Sequence, residues 1–197
     1  GGRLERRLRV WEDEKFGKTQ DIHKMGLTLF EEDDFILTLS CASGYWIVLL
    51  PYMDKLDFYH VDQRSPKSRQ RMMRFYGECV RRQLYLNGAK KLHLSKNPTF
   101  CGRVGTLLEV FPDARLIFTH RDPKQVVGSA ASLAWNQTII YSDHNDPAQT
   151  GRQWLGKTAT MIERMRAARD AIPRDRMIDV QYDDMETDWR GTMERVY

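Results

Sequence analysis

Two short apolar runs, each leading through a polar turn into an amphipathic helix, restrict what this chain can fold into. They lie between Leu92 and Leu133, in LHLSKNPTFCGRVGTLLEVFPDARLIFTHRDPKQVVGSAASL. Leu92-His93-Leu94 alternates apolar and polar as a half-buried strand does. From Thr99 to Phe111, the side chains Phe100, Val104, Leu107, Leu108 and Phe111 fall on one face at helical spacing. Pro112-Asp113 is a turn pair, and Ala114 to Thr119 predicts a buried strand through Leu116, Ile117 and Phe118. Asp122 then suits a helix N-cap and Pro123 the first helical position, with Val126, Val127 and Ala130 continuing an apolar face. Strand, helix, strand, helix in that order is the repeat of a parallel α/β sheet.

Ligands in open α/β sheets gather at the carboxyl ends of the strands, near helix N-termini with free N–H groups. Lys96 follows the first run and Arg121 the second, so both cations are expected at one crevice. Ser129 lies two turns into the helix that Arg121 precedes. An arginine, a helix N-terminus and a serine make a cradle for phosphate or sulfate. Pairing of Arg121 with Asp122 or another surface acid is an equal alternative. Spacing alone specifies an anion site.

The quoted residues resemble the core of the sulfotransferases, particularly the bacterial type related to tyrosylprotein sulfotransferases. The resemblance rests on Lys96-Asn97-Pro98, Phe111-Pro112-Asp113-Ala114-Arg115, His120-Arg121-Asp122-Pro123 and Val127-Gly128-Ser129. It implies an α/β, three-layer, P-loop-NTPase-like fold, its parallel sheet flanked by helices. It implies the donor 3′-phosphoadenosine 5′-phosphosulfate (PAPS), whose 3′-phosphate Arg121 and Ser129 would grip, and adenosine 3′,5′-bisphosphate (PAP) as product. Lys96 would hold the transferring sulfuryl group and bridging oxygen. Ile178 to Met185 is similar to the family's strand ending in Tyr-Glu-Asp-Leu, so Tyr182 would lie against the nucleotide. No metal is implied. A general base is expected upstream of the lysine, with His23, Glu31, Glu32 and His60 as candidates and His23 preferred for its near-neutral intrinsic pKa.

One family feature is missing from the sequence: the Gly-rich Pro-Arg/Lys-Ser-Gly-Thr-Thr loop that wraps the 5′-phosphosulfate. The expectation is therefore a single domain over residues 1–197, an internal fragment cut at both ends. Two alternatives stay open, a P-loop-type nucleotide kinase and a non-catalytic sulfotransferase-like anion-binding domain. The acceptor class is open among small molecule, glycan, lipid and peptide.

Net charge of +4 is too small to argue for a nucleic-acid partner, although Arg69, Arg71, Arg81 and Arg82 surround the apolar stripe of a predicted helix from Pro66 to Leu86. Cys41, Cys79 and Cys101 lie far apart without metal spacing, the pattern of reduced thiols in a cytoplasmic protein. Phe35 to Met53 carries no charge, yet Thr38, Ser40, Ser43 and Pro51 favour a buried helix and loop over a membrane span. Tyr45, Trp46 and Tyr52 in it are candidate walls of an acceptor pocket. Arg3 to Trp11 predicts a helix, and Thr28 to Asp34 an acidic helix start. Trp135 to Gln149 reads as a polar loop, Pro147 to Ala171 as a long helix, Met177 to Val180 as a strand, and Asp188 as the start of a last helix.

Overall fold

Apolar runs on either side of two long helices come together as one parallel pair in the computed structural model, which describes residues 2–17, 32–50, 55, 59–88, 90–143 and 146–197. Strand β1 (Leu116–His120) pairs with β2 (Met177–Gln181), Leu116 facing Met177 and His120 facing Gln181. The described residues also form eight α-helices: α1 (Gly2–Phe16), α2 (Trp46–Leu49), α3 (Pro66–Asn87), α4 (Val104–Val110), α5 (Pro123–Tyr141), α6 (Pro147–Arg169), α7 (Tyr182–Thr187) and α8 (Trp189–Val196). The chain is thus mostly helical with a small parallel sheet.

Local chemistry accounts for most of the helix ends. Ser65, Asp122, Asp146 and Asp188 each accept from a backbone N–H of the turn they open. Pro66, Pro123 and Pro147 follow three of them at the first helical position, where a missing N–H goes unnoticed. Gly88 ends α3 at φ 118°, a backbone that side-chain-bearing residues rarely adopt.

Three expectations are corrected. Leu92-His93-Leu94 forms no strand; Leu92 and Leu94 are largely exposed, and a strand needs a neighbour to pair with. Thr99 to Phe111 is a 3-10 turn, Pro98–Gly102, followed by the shorter α4, broken at Arg103. The helix after Arg121 runs through Trp135 to Tyr141, where Ala134 and Thr138 are buried and Thr138 donates its hydroxyl back to the Ala134 carbonyl. Phe35 to Leu50 divides into a 3-10 helix (Asp33–Ser40), a turn at the left-handed Cys41, and α2. No helix among the described residues is long and apolar enough to cross a membrane.

Helix α4 stands between two apolar clusters. Leu107 joins Leu37, Val61, Met72, Met73, Tyr76 and Val80, which tie α3 to Asp33–Ser40. Val104 joins Phe118, Met165 and Ile172, which tie β1 to α6. The start of α4 is held by Asp62, which accepts from the backbone N–H groups of Gly105 (3.1 Å) and Thr106 (2.8 Å). A carboxylate there also meets the positive end of the helix.

At Gly102 a Cβ would stand 2.5 Å from the Tyr59 carbonyl oxygen. Backbone cannot retreat as a flexible side chain can, so Gly102→Ala is expected to destabilise the protein by about 1–3 kcal/mol. Urea unfolding checks this through a lower midpoint at unchanged slope.

Candidate functional site

The parallel register carries Arg121 and Tyr182 to adjacent positions, since each follows directly on a paired strand end, His120 and Gln181. The Arg121 guanidinium lies 4.3 Å from the centroid of the Tyr182 ring, a cation–π contact. Its Nε donates to Gln125 (3.0 Å), and among the described residues neither terminal nitrogen makes a hydrogen bond. The alternative pairing with Asp122 is not made: Asp122 accepts instead from the Lys124 N–H. That N-cap occupies the end of α5 which the sequence left open for an anion, so an incoming phosphate would rely on Arg121 and the side chains around it. Ser129 is exposed on the same helix. A hydrogen bond to Glu186 raises the pKa of the Tyr182 hydroxyl.

Behind this lip, Asp179 of β2 fixes the geometry. Arg169 grips both its oxygens at 2.7 Å, and the His120 ring lies 2.6 Å from one of them. The Arg169 bonds, aided by His120, hold the Asp179 carboxyl at about 2, below the usual carboxylate range. His120 is thereby a structural tie between strands.

A second polar centre surrounds the acidic run before Phe35. Lys96 pairs with Glu32; the lysine is exposed and the carboxylate largely covered. Asp33 accepts from the Tyr76 hydroxyl (2.5 Å) and lies 2.9 Å from the His93 ring. Asp34 is 1% exposed. It accepts from the Ser43 hydroxyl (2.7 Å), the Gly44 N–H (2.6 Å), the Thr99 hydroxyl (2.6 Å) and the Asn97 amide (3.3 Å). The buried Arg103 guanidinium lies 3.8 Å from it and donates to the Ala42 carbonyl (2.9 Å). Asp34 thus ties the 3-10 helix to the segment carrying Lys96 and to the start of α4.

Lys157 of α6 is also buried, with its ammonium 3.3 Å from the centroid of the Trp154 ring. Burial pulls its pKa down to about 7, against the opposing pull of the Asp34 and Glu32 carboxylates.

The structure therefore brings Lys96 to Glu32 and Arg121 to Tyr182. His23, Glu31 and Tyr52 lie outside the described residues. His60 packs its ring at 4.3 Å against Tyr59. Of the proposed pocket walls, Trp46 donates its indole N–H to the Thr38 carbonyl and Tyr45 stands edge-on to Phe35. Arg69 turns inward to Glu109 and the Asp62 and Arg64 carbonyls, which breaks up the basic stripe on α3. Sequence reasoning missed Asp34, Arg103 and Lys157. The signal for Asp34 was an acidic residue directly before an uncharged run, but four consecutive acids hid which one turns inward.

Fold and site define an α/β protein whose strand ends carry an arginine–tyrosine lip, with a lysine–carboxylate pair on the loop before α4. Residues 5–197 match the sulfotransferase family, and the chain belongs to that family. It is similar to the omega-hydroxy-beta-dihydromenaquinone-9 sulfotransferases Stf3 of Mycobacterium bovis and Mycobacterium tuberculosis, 28% identical to each over 192 residues. The match covers 91% of this chain and 47% of each relative, so the chain spans about half the length of the curated relatives it matches. No solved structure matches it.

Proposed function

We propose that this protein transfers a sulfuryl group from PAPS to a hydroxyl group, with Arg121 and Ser129 holding the 3′-phosphate. Tyr182 lies against the nucleotide, its ring kept in place by Arg121. In this reading the two terminal nitrogens of Arg121 take phosphate oxygens as a fork, its Nε being held by Gln125. Family membership sets the nucleotide-kinase alternative aside. The same reading adds the three-layer arrangement, with the β1–β2 pair as part of a wider parallel sheet.

The observation that carries the chemistry is the Lys96–Glu32 pair. Sulfuryl transfer parallels phosphoryl transfer: a loose transition state served mainly by positioning and by cations facing developing charge. Lys96 supplies that cation at the sulfuryl and bridging oxygens. Glu32 takes the proton the acceptor hydroxyl loses as its oxygen bonds to sulfur, while the donor's S–O bond breaks and PAP leaves. Of the two candidate bases among the described residues, Glu32 and His60, Glu32 is the one paired with Lys96. The acceptor we assign is a hydroxyl on an apolar molecule, on the strength of the menaquinone acceptor in the relatives' names.

Thermal unfolding with PAP against ADP tests the 3′-phosphate site. PAP at a hundred times its Kd is expected to stabilise the protein by about 2.7 kcal/mol. Arg121→Ala is expected to weaken PAP binding about tenfold to a hundredfold, the loss of a charged hydrogen bond of about 1.5–3 kcal/mol. An equal response to ADP overturns the assignment.

A further inference from the structure

The outer side of α3 carries charges placed against the interests of the helix that bears them. Met72, Met73, Tyr76 and Val80 turn to the core. Lys67, Gln70, Arg71, Arg74, Phe75 and Glu78 follow one another at helical spacing on another side and line a groove of about 440 Å³. Lys67 stands in the first turn, which holds no acid, and Arg71 and Arg74 lie in the turns that follow. Cations near a helix start oppose its dipole, and Lys67 and Arg71, four residues apart, repel each other. Glu78, the acid of the groove, takes the Arg74 Nε at 3.3 Å and lies 3.8 Å from Arg82, outside that first half. Among the described residues Lys67 and Arg71 have no hydrogen-bond or ion-pair partner, and neither have the terminal nitrogens of Arg74. Charges that break local rules with no return in the fold mark a functional place.

We propose that this groove binds a phosphate or sulfate monoester, its oxyanion held by Arg71, Arg74 and Lys67 and its organic body laid against Phe75. A guanidinium presents a planar fork that matches two oxygens of such a group, and the lysine adds a compact charge one turn away. The Gln70 amide supplies further donors. Phe75, half-buried, gives the groove an apolar side. The volume falls within the range of small-molecule sites, about 300–1,000 Å³, which leaves room for more than a bare ion. None of these residues belongs to the Arg121 lip, and the proposal does not depend on the sulfotransfer assignment.

Isothermal titration of the full chain with phenyl phosphate and phenyl sulfate tests it, in wild type and in Arg121→Ala, where the lip is disabled. The expected result is saturable one-to-one binding of at least one ester in Arg121→Ala, tighter than that of inorganic phosphate. Arg71→Gln in the same background should weaken it about tenfold to a hundredfold, the loss of a charged hydrogen bond. Lys67→Glu should weaken the ester and also raise Tm by about 2–4 °C, since it puts an acid in the first turn four residues before Arg71. Flotation with phosphatidylcholine vesicles, with and without phosphatidic acid, identifies the source of the ester. Capture that needs phosphatidic acid and is lost in Arg71→Gln assigns it to a lipid headgroup; ester binding without capture assigns it to a free molecule. The proposal is overturned by absent binding in Arg121→Ala, by equal affinity for inorganic phosphate, or by binding that survives Arg71→Gln. A Tm that does not rise in Lys67→Glu overturns it too, because the cations would then serve the helix. So does a polyglutamate peptide that binds as tightly as the esters, which would make the face a general surface for acidic chains.

Discussion

Asp34→Ala is expected to leave most of the protein unfolded. The side chain is 1% exposed, and the Arg103 guanidinium facing it at 3.8 Å is 0% exposed. Removing one member of a buried charge pair costs about 3–5 kcal/mol. The Ser43 and Thr99 hydroxyls and the Gly44 N–H would lose their acceptor as well. Each such group left buried adds about 1–3 kcal/mol. A domain of this size has roughly 5–15 kcal/mol of stability in all, so the sum is comparable to the whole. Asp34→Asn keeps the shape and one acceptor oxygen, and should fall between alanine and wild type. Urea unfolding followed by far-ultraviolet circular dichroism orders the three forms. A loss below about 1 kcal/mol for the alanine variant would show that Asp34 does not hold these segments together.

Lys96→Ala should act on rate and leave the fold alone. The lysine is 71% exposed, and exposed ion pairs are worth at most about 1 kcal/mol, so the unfolding curve should barely move. In PAPS-dependent transfer, losing a cation that faces developing charge is expected to lower kcat about 10²–10³-fold. The nucleotide should bind nearly as well as before, because its 3′-phosphate is assigned to Arg121 and Ser129. Glu32→Gln should lower kcat about 10²–10⁴-fold by removing the proton acceptor. The contrast with Arg121→Ala, whose effect is on PAP affinity, separates the two polar centres. A Lys96→Ala enzyme with wild-type kcat would remove the lysine from the transfer step.

Elements governed by local rules were legible in the sequence. Ser65-Pro66, Asp122-Pro123 and Asp146-Pro147 each place a capping oxygen and a fixed φ side by side, and each begins a helix. Strands β1 and β2 were legible as apolar runs after Pro112 and Pro173. Leu92 to Leu94 had the pattern of a strand, but strand formation depends on a partner that no local pattern supplies. The extension of α5 past Trp135 was equally hidden, because burial of Thr138 and the bonds that Asn136 and Thr138 donate back to the Ser132 and Ala134 carbonyls are not visible in composition. Arg121, Ser129, Tyr182 and Lys96 stood out through motif resemblance. Arg103 and Lys157 did not, since a buried cation looks like a surface one until tertiary packing places carboxylates around it.

The pairing of His120 with Gln181 has a consequence for the lip that follows it. Arg121 and Tyr182 meet because each is the next residue along its own strand, so their contact works as a vernier on strand alignment. Sliding β2 by one residue moves Tyr182 about 3.3 Å and turns its ring to the opposite side of the pair. The Arg169–Asp179–His120 tie is the stop that prevents the slide. Under the proposed assignment of the 3′-phosphate to Arg121, loosening Asp179 is expected to weaken PAP binding through strand alignment, without any change to Arg121 itself.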